Sequence, residues 1–148
     1  MLFETTRLWT ASAAFLACCS LLVGCSGSDY KMAPAQGVVM LDGEPLTGGK
    51  VMFAPVATSD TIHAGKPGFA NIQSDGSFEV STYKPGDGAV VAAHRVTIIN
   101  SDPKSAAGQR IRASRVAMPE QVAVSAGQTN EFTIELTSEL INKYGMRF

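Results

Sequence analysis

Charge is scarce in this chain of 148 residues: Asp, Glu, Lys and Arg make up 17% of it, against roughly a quarter in an ordinary soluble protein. Neither sign dominates. Twelve basic and 13 acidic residues leave a formal net charge of −1, which excludes the basic excess of a nucleic-acid binder. Tryptophan occurs once, and there are 2 histidines and 3 cysteines. A serine hydrolase elbow, Gly-x-Ser-x-Gly, is missing, as is the Asp-x-Asp-x-Asp spacing of a calcium loop. No internal repeat or low-complexity tract is present. The length suits one domain with appendages and allows a core that needs neither disulfides nor a metal.

What is plentiful is apolar sequence at the front. Met1 to Arg7 is short, with Arg7 and the free amine outweighing Glu4. Leu8 to Gly24 then runs without a charge. This is the n-region and h-region layout of a secretory signal peptide over residues 1–24. A membrane-spanning helix needs about 20 apolar residues; this run is shorter and carries Thr10, Ser12 and Ser20. At its end, Leu22-Val23-Gly24-Cys25 resembles the bacterial lipobox. That resemblance implies cleavage before Cys25, a diacylglycerol on its sulfur and acylation of the new amino terminus. Ordinary secretion with Cys25 free, or an uncleaved anchor, are the alternatives. Two or three acyl chains make a stable membrane anchor, where one binds only marginally. By analogy with diderm lipoproteins, Ser26 after the cysteine points to the outer membrane.

The cysteine arithmetic agrees with this reading. Cys18 and Cys19 leave with the leader and Cys25 carries lipid. The remaining chain then has no thiol for a disulfide, a nucleophile or a metal. The only tryptophan, Trp9, also leaves.

Residues 25–36 read as an acylated cysteine and a polar tether, SGSDYKMAPAQ, with an ordered first strand as the alternative. From Gly37 the texture becomes short β-type runs between turn signals. Strands are expected at Val38–Leu41, Lys50–Ala54, Phe69–Gln73, Phe78–Thr82, His94–Asn100, Gln121–Val124 and Asn130–Leu136. Asp42-Gly43, the Ser74–Ser77 turn and Lys84–Gly88 break the chain between them. Val56–Gly68 reads as a long polar loop and Ser101–Glu120 as a long connection, with a short strand inside it as an alternative. Residues 138–148 form a tail in which Ser138 could cap a short helix through Tyr144. Seven closely spaced strands with no helix between them argue for antiparallel pairing. The expected fold is therefore an all-β, seven-stranded Greek-key β-sandwich over residues 37–137.

The run from Gly37 through Asp42-Gly43-Glu44-Pro45-Leu46 and Gly48-Gly49 to Phe53 resembles the opening of carboxypeptidase regulatory-like (transthyretin-like) domains. These occur in small envelope lipoproteins of bacteria, notably of planctomycetes. Asp75-Gly76-Ser77-Phe78, His94-Arg95-Val96-Thr97-Ile98 and Asn130-Glu131-Phe132-Thr133-Ile134 resemble later blocks of the family. The chain departs from the pattern at Ala92-Ala93 and after Asn100. The resemblance implies a prealbumin-like sandwich and an accessory module without catalytic residues or cofactors.

Candidate sites are few. His63 and His94 would need a carboxylate such as Asp60 or Asp87 to hold a metal, and nothing in the sequence brings them together. No metal site is expected, and both histidines read as exposed and unpaired. Asp42, Asp75 and Asp87 each precede glycine and are explained by their turns. The hydrolases of urate breakdown with a transthyretin-like fold end in Tyr-Arg-Gly-Ser, whereas this chain ends Lys143-Tyr144-Gly145-Met146-Arg147-Phe148. Lys104, Arg110, Arg112 and Arg115 make the loop after Asn100 locally basic, either a solvated mobile loop or a contact for anionic headgroups and acidic glycans. Ile62, Phe69, Tyr83 and Tyr144 are candidates for exposed apolar or aromatic contacts. The expected function is a lipid-anchored, non-enzymatic structural or protein-interaction module of the cell envelope, with envelope proteins or polysaccharides as partners and no nucleic acid. The alternative is a glycan- or ligand-binding accessory protein using loops 56–68 and 101–120.

Overall fold

Apolar residues recur at every second position along this chain, so its strands each have an inward and an outward face. The computed structural model describes residues 30–59 and 63–148. The hydrophobic run, Leu22–Gly24 and Cys25 lie outside the described residues, as do Asp60 and Ile62. In chain order the strands are β1 (Met32–Ala33), β2 (Ala35–Leu41), β3 (Glu44–Pro45), β4 (Lys50–Pro55), β5 (Gly68–Asn71), β6 (Ser77–Glu79), β7 (Ala89–Val90), β8 (Ala93–Ile99), β9 (Arg115–Ala123), β10 (Asn130–Leu136) and β11 (Gly145–Met146). Two short helices, α1 (Ala106–Ile111) and α2 (Ser138–Tyr144), complete the described residues. Each strand expected from the sequence overlaps one of these. The four additional strands, β1, β3, β7 and β11, are two residues long.

The strands form two main sheets. One runs β11-β9-β8-β4-β5, antiparallel throughout. The other runs β10-β2, with β6 and β3 sharing the far side of β2. A two-stranded β1–β7 pair closes one pole. The core lies between the two sheets. Val39 and Leu41 from β2, and Ile134 and Leu136 from β10, face Val51 and Phe53 from β4, Val96 and Ile98 from β8 and Val116 from β9, all buried.

Phe53, fully buried, is the centre of this packing. It lies 5.9 Å from the Phe78 ring and 5.4 Å from the Phe132 ring. Phe78 and Phe132 flank Gly37 in register on either side. A Cβ on Gly37 would stand 1.9 Å from the Phe132 carbonyl oxygen, so only glycine fits between the two phenylalanines.

Several expectations are corrected. Pairing is not all antiparallel, because β2 and β10 run parallel in unbroken register from Ala35↔Asn130 to Leu41↔Leu136. The intervening chain builds four strands of the five-stranded sheet before returning, and a crossover of that length permits parallel entry where a hairpin would not. The tether does not extend to Gln36: Ala33 and Ala35 are buried in β1 and β2. The connection after Asn100 is not a mobile loop. Ser105 caps α1, its hydroxyl accepting from the Gly108 amide at 3.0 Å, and Ala107, Ile111 and Ala113 enter the core. The tail is also part of the fold. Thr137, rather than Ser138, caps α2 by accepting from the Leu140 amide, and β11 pairs with the start of β9.

Candidate functional site

The sheet order leaves one seam of the sandwich open. On the opposite seam the sheets are joined: Phe69 of β5 and Ser81, two residues beyond β6, exchange backbone hydrogen bonds of 2.9 Å. On the open seam, among the described residues, β10 pairs only with β2, and β9 beyond Val116 pairs only with β8. At one end α2 crosses from the end of β10 toward the start of β9, with Ile141 and Tyr144 packed on the core. The rest of the seam is lined by the partly buried Met118, Val122 and Phe132.

The two free edges differ. A register shift between Arg95 and Thr97 bulges β9 around Met118, Pro119 and Glu120, and Pro119 has no amide proton to offer a neighbour. Bulge and proline together blunt that edge against further pairing. β10 has neither device. The Asn130 amide donates to Pro34 and the Leu136 carbonyl accepts from Asp42, both toward the β2 side. Residues of even number therefore bond inward, and alternation turns the amides and carbonyls of Glu131, Thr133 and Glu135 out along the free edge.

Beside this edge lies the outward face of the smaller sheet. Glu79, Gln36 and Glu131 form one row across it and Ser77, Val38 and Thr133 the next. Gln36 donates to the Glu131 carboxylate at 3.2 Å. With Asn71 and Gln73 on its flank, this face lines a polar groove of about 1000 Å³. A second, smaller cleft of about 380 Å³ involves Tyr30, Val56, Thr58, His63 and Val91. Next to it the Tyr30 and Tyr83 rings stack at 6.2 Å, with the Lys66 ammonium 5.5 Å from the Tyr83 ring centre.

The residues singled out in the sequence scatter across the molecule. Arg110 is tied to the β2–β3 hairpin: it pairs with Glu44 at 3.1 Å and donates to the Leu41 and Pro45 carbonyls. Lys104 precedes α1, Arg112 ends it in a left-handed conformation and Arg115 opens β9; all three are exposed. Phe69 is 45% exposed, but Tyr83 and Tyr144 are half-buried.

Asp75 and Asp87 work within their turns, whereas Asp42 ties its turn to the start of α2. The Asp42 carboxylate accepts from the Ser138 hydroxyl at 2.7 Å and its amide at 3.0 Å, which holds it below the usual range. Asp75 is lowered in the same way by Ser77. Burial opposes ionisation of Asp87, but three backbone amides, of Thr82, Tyr83 and Lys84, outweigh it and hold the carboxyl low.

His94 is the main correction. Expected to be exposed, it is fully buried, with Nε2 2.7 Å from the Val90 carbonyl oxygen. Its position two residues before Val96 on the inward face of β8 is the sequence signal that places it there. Nδ1 has no partner of ordinary hydrogen-bond geometry. Burial pushes the imidazole below its usual value; hydrogen bonding to the Val90 backbone, and more weakly to that of Phe53, offsets this only in part. His63 is exposed in the smaller cleft, and no metal-binding group of His, Cys, Asp and Glu forms among the described residues.

Asn130 was not singled out in the sequence. It is buried and ties the β9–β10 turn to Pro34: its side-chain amide donates to the Pro34, Ser125 and Gln128 carbonyls, and its oxygen accepts from the Ser125 amide.

No protein-family model matches the chain, and no curated protein matches it. Among solved structures it is similar to a candidate carbohydrate-binding protein from Pseudomonas aeruginosa, at 12% identity and a TM-score of 0.44 over 75% of this chain and 92% of that one. It is similar to a Cyanothece 9R-lipoxygenase at 14% identity and 0.41, over 72% of this chain and 16% of that one. An (S)-allantoin synthase aligns at 9% identity and 0.40, over 74% and 42% of the two chains. Likenesses at these TM-scores carry no argument about what this chain does.

Proposed function

We propose that this chain is a lipid-anchored lipoprotein of the bacterial cell envelope, held at the outer membrane through Cys25. In this reading it is a non-enzymatic protein-interaction module with a seven-stranded, prealbumin-like Greek-key domain of the carboxypeptidase regulatory-like type. The lipobox sequence Leu22-Val23-Gly24-Cys25 after an uncharged run supports the anchor. The single observation behind the interaction role is the free edge of β10, a seven-residue strand that, among the described residues, pairs on one side only. A row of unpaired amides and carbonyls is a template for an added strand, with main-chain bonds supplying affinity.

Two measurements test the reading. Cys25→Ser abolishes incorporation of radiolabelled palmitate and releases the protein from the membrane fraction. A photo-crosslinking residue at position 135 gives discrete adducts in native membranes, and Thr133→Pro, which removes one edge donor, suppresses them. Lipid uptake by the serine variant defeats the anchor; adducts indifferent to the proline defeat the edge.

A second reading, glycan binding, is favoured by the polar groove over Gln36, Gln73, Ser77 and Glu79. Amides, hydroxyls and carboxylates in one concave surface match the hydroxyls of a saccharide. Calorimetry of Gln36→Ala against envelope polysaccharides tests it.

A further inference from the structure

Resting on the edge-pairing reading, we infer that the partner of β10 is an extended protein segment that alternates apolar residues with lysine or arginine. The pattern follows from what lies on each side of the free edge. A strand added there projects successive side chains to opposite faces. Those pointing inward lie beside Phe132, over the seam where Met118 and Val122 are only partly buried. Apolar side chains at these positions complete the burial of a core that α2 covers at one end only.

Those pointing outward lie beside Glu131, Thr133 and Glu135. Among the described residues neither glutamate has an ion pair, and the adjoining rows contribute Glu79, Gln36, Val38, Ser77, Met40 and Pro45 but no cation. Directly opposed unlike charges stabilise a strand pair and like charges oppose it. The spacing of Glu131 and Glu135 therefore selects basic residues four apart on the partner, with a small polar residue between them opposite Thr133. The same two carboxylates deter β10 from pairing with another copy of itself, since an antiparallel self-pair would bring glutamates together.

The test uses the full-length protein in a nonionic detergent and two labelled nine-residue peptides. One alternates valine with lysine, threonine and lysine; its twin has glutamate for lysine. Fluorescence anisotropy at low salt gives at least about tenfold tighter binding of the lysine peptide, a margin that shrinks as salt rises. Glu131→Lys with Glu135→Lys reverses the preference. Thr133→Pro weakens binding of the preferred peptide at least about tenfold, with the circular dichroism of the fold retained. If that variant does not fold, the charge reversal alone decides. Equal binding of both peptides, sensitive to Thr133→Pro, overturns the basic partner and leaves edge pairing standing. Binding of neither peptide overturns both, as does binding indifferent to the proline in a folded variant. A preference that survives the charge reversal overturns the pairing with Glu131 and Glu135.

Discussion

Lowering the pH from 7 toward 5 destabilises this fold through one residue, His94. Its ring is fully buried against Phe53, with the centroids 5.8 Å apart, and it accommodates one proton, on Nε2, facing the Val90 carbonyl. A second proton would place an uncompensated charge in the core. The sign follows from linkage. The folded pKa lies below the unfolded value of 6.5, so the unfolded chain binds the proton first. Above pH 6.5 the group costs nothing. Below it, stability falls by up to about 1.4 kcal/mol per pH unit until the folded pKa is reached. In a domain of this size that is about 5 °C in the thermal midpoint per pH unit. Asp42, Asp75 and Asp87, all lowered from 3.8, contribute stability that is lost only at more acidic pH, as it falls through their folded values. Between pH 6.5 and about 4.5 the slope thus reports His94. Thermal melts at half-unit steps, with His94→Gln as the control, measure it. The variant's midpoint is nearly flat over this window. A wild-type midpoint that is equally flat, or a glutamine variant with the wild-type slope, would refute the reasoning.

Other perturbations separate structural from surface roles. Gly37→Ala drives a methyl into the Phe132 carbonyl and costs about 1–3 kcal/mol in urea unfolding, as overpacking does. Asn130→Ala removes the side-chain partners of the Ser125 amide and carbonyl and costs a similar amount, read in the same assay. Arg110→Ala loses a pair in which the Glu44 side chain is 77% exposed, and costs about 1 kcal/mol or less. An Arg110 effect as large as that of Asn130 contradicts this ordering.

The legible part of the fold was local. β10 runs over the residues its alternation predicts, and the inward faces of β4 and β8 follow their apolar positions. α2 was legible as well, although its cap lies one residue earlier. Illegible features depended on partners far along the chain. β9 starts at Arg115, six residues before the expected Gln121; a proline within a strand argues against one, but the bulge opposite Val96 accommodates Pro119. Helix α1 is six residues long with Gly108 inside, too weak a local signal to stand alone. Ala107 and Ile111 bury it against the core, and Gly108 lets it lie against the Asp102 carbonyl, where a Cβ would come within 2.2 Å. The basic loop looked like one patch, but Arg110 turns to Glu44 on a hairpin that the sequence gives no reason to place beside it.

By itself the sequence determined in which seven segments the longer strands lie, that turns form at Asp-Gly pairs, and that a lipobox-like Leu-Val-Gly-Cys sequence precedes the domain. These are matters of side-chain period, backbone freedom and short motifs, each read within a few residues. Tertiary structure alone decided that β2 and β10 run parallel and that, among the described residues, β10 keeps a free edge. Each depends on which surfaces meet after segments 95 residues apart are brought together, and no local pattern encodes that choice.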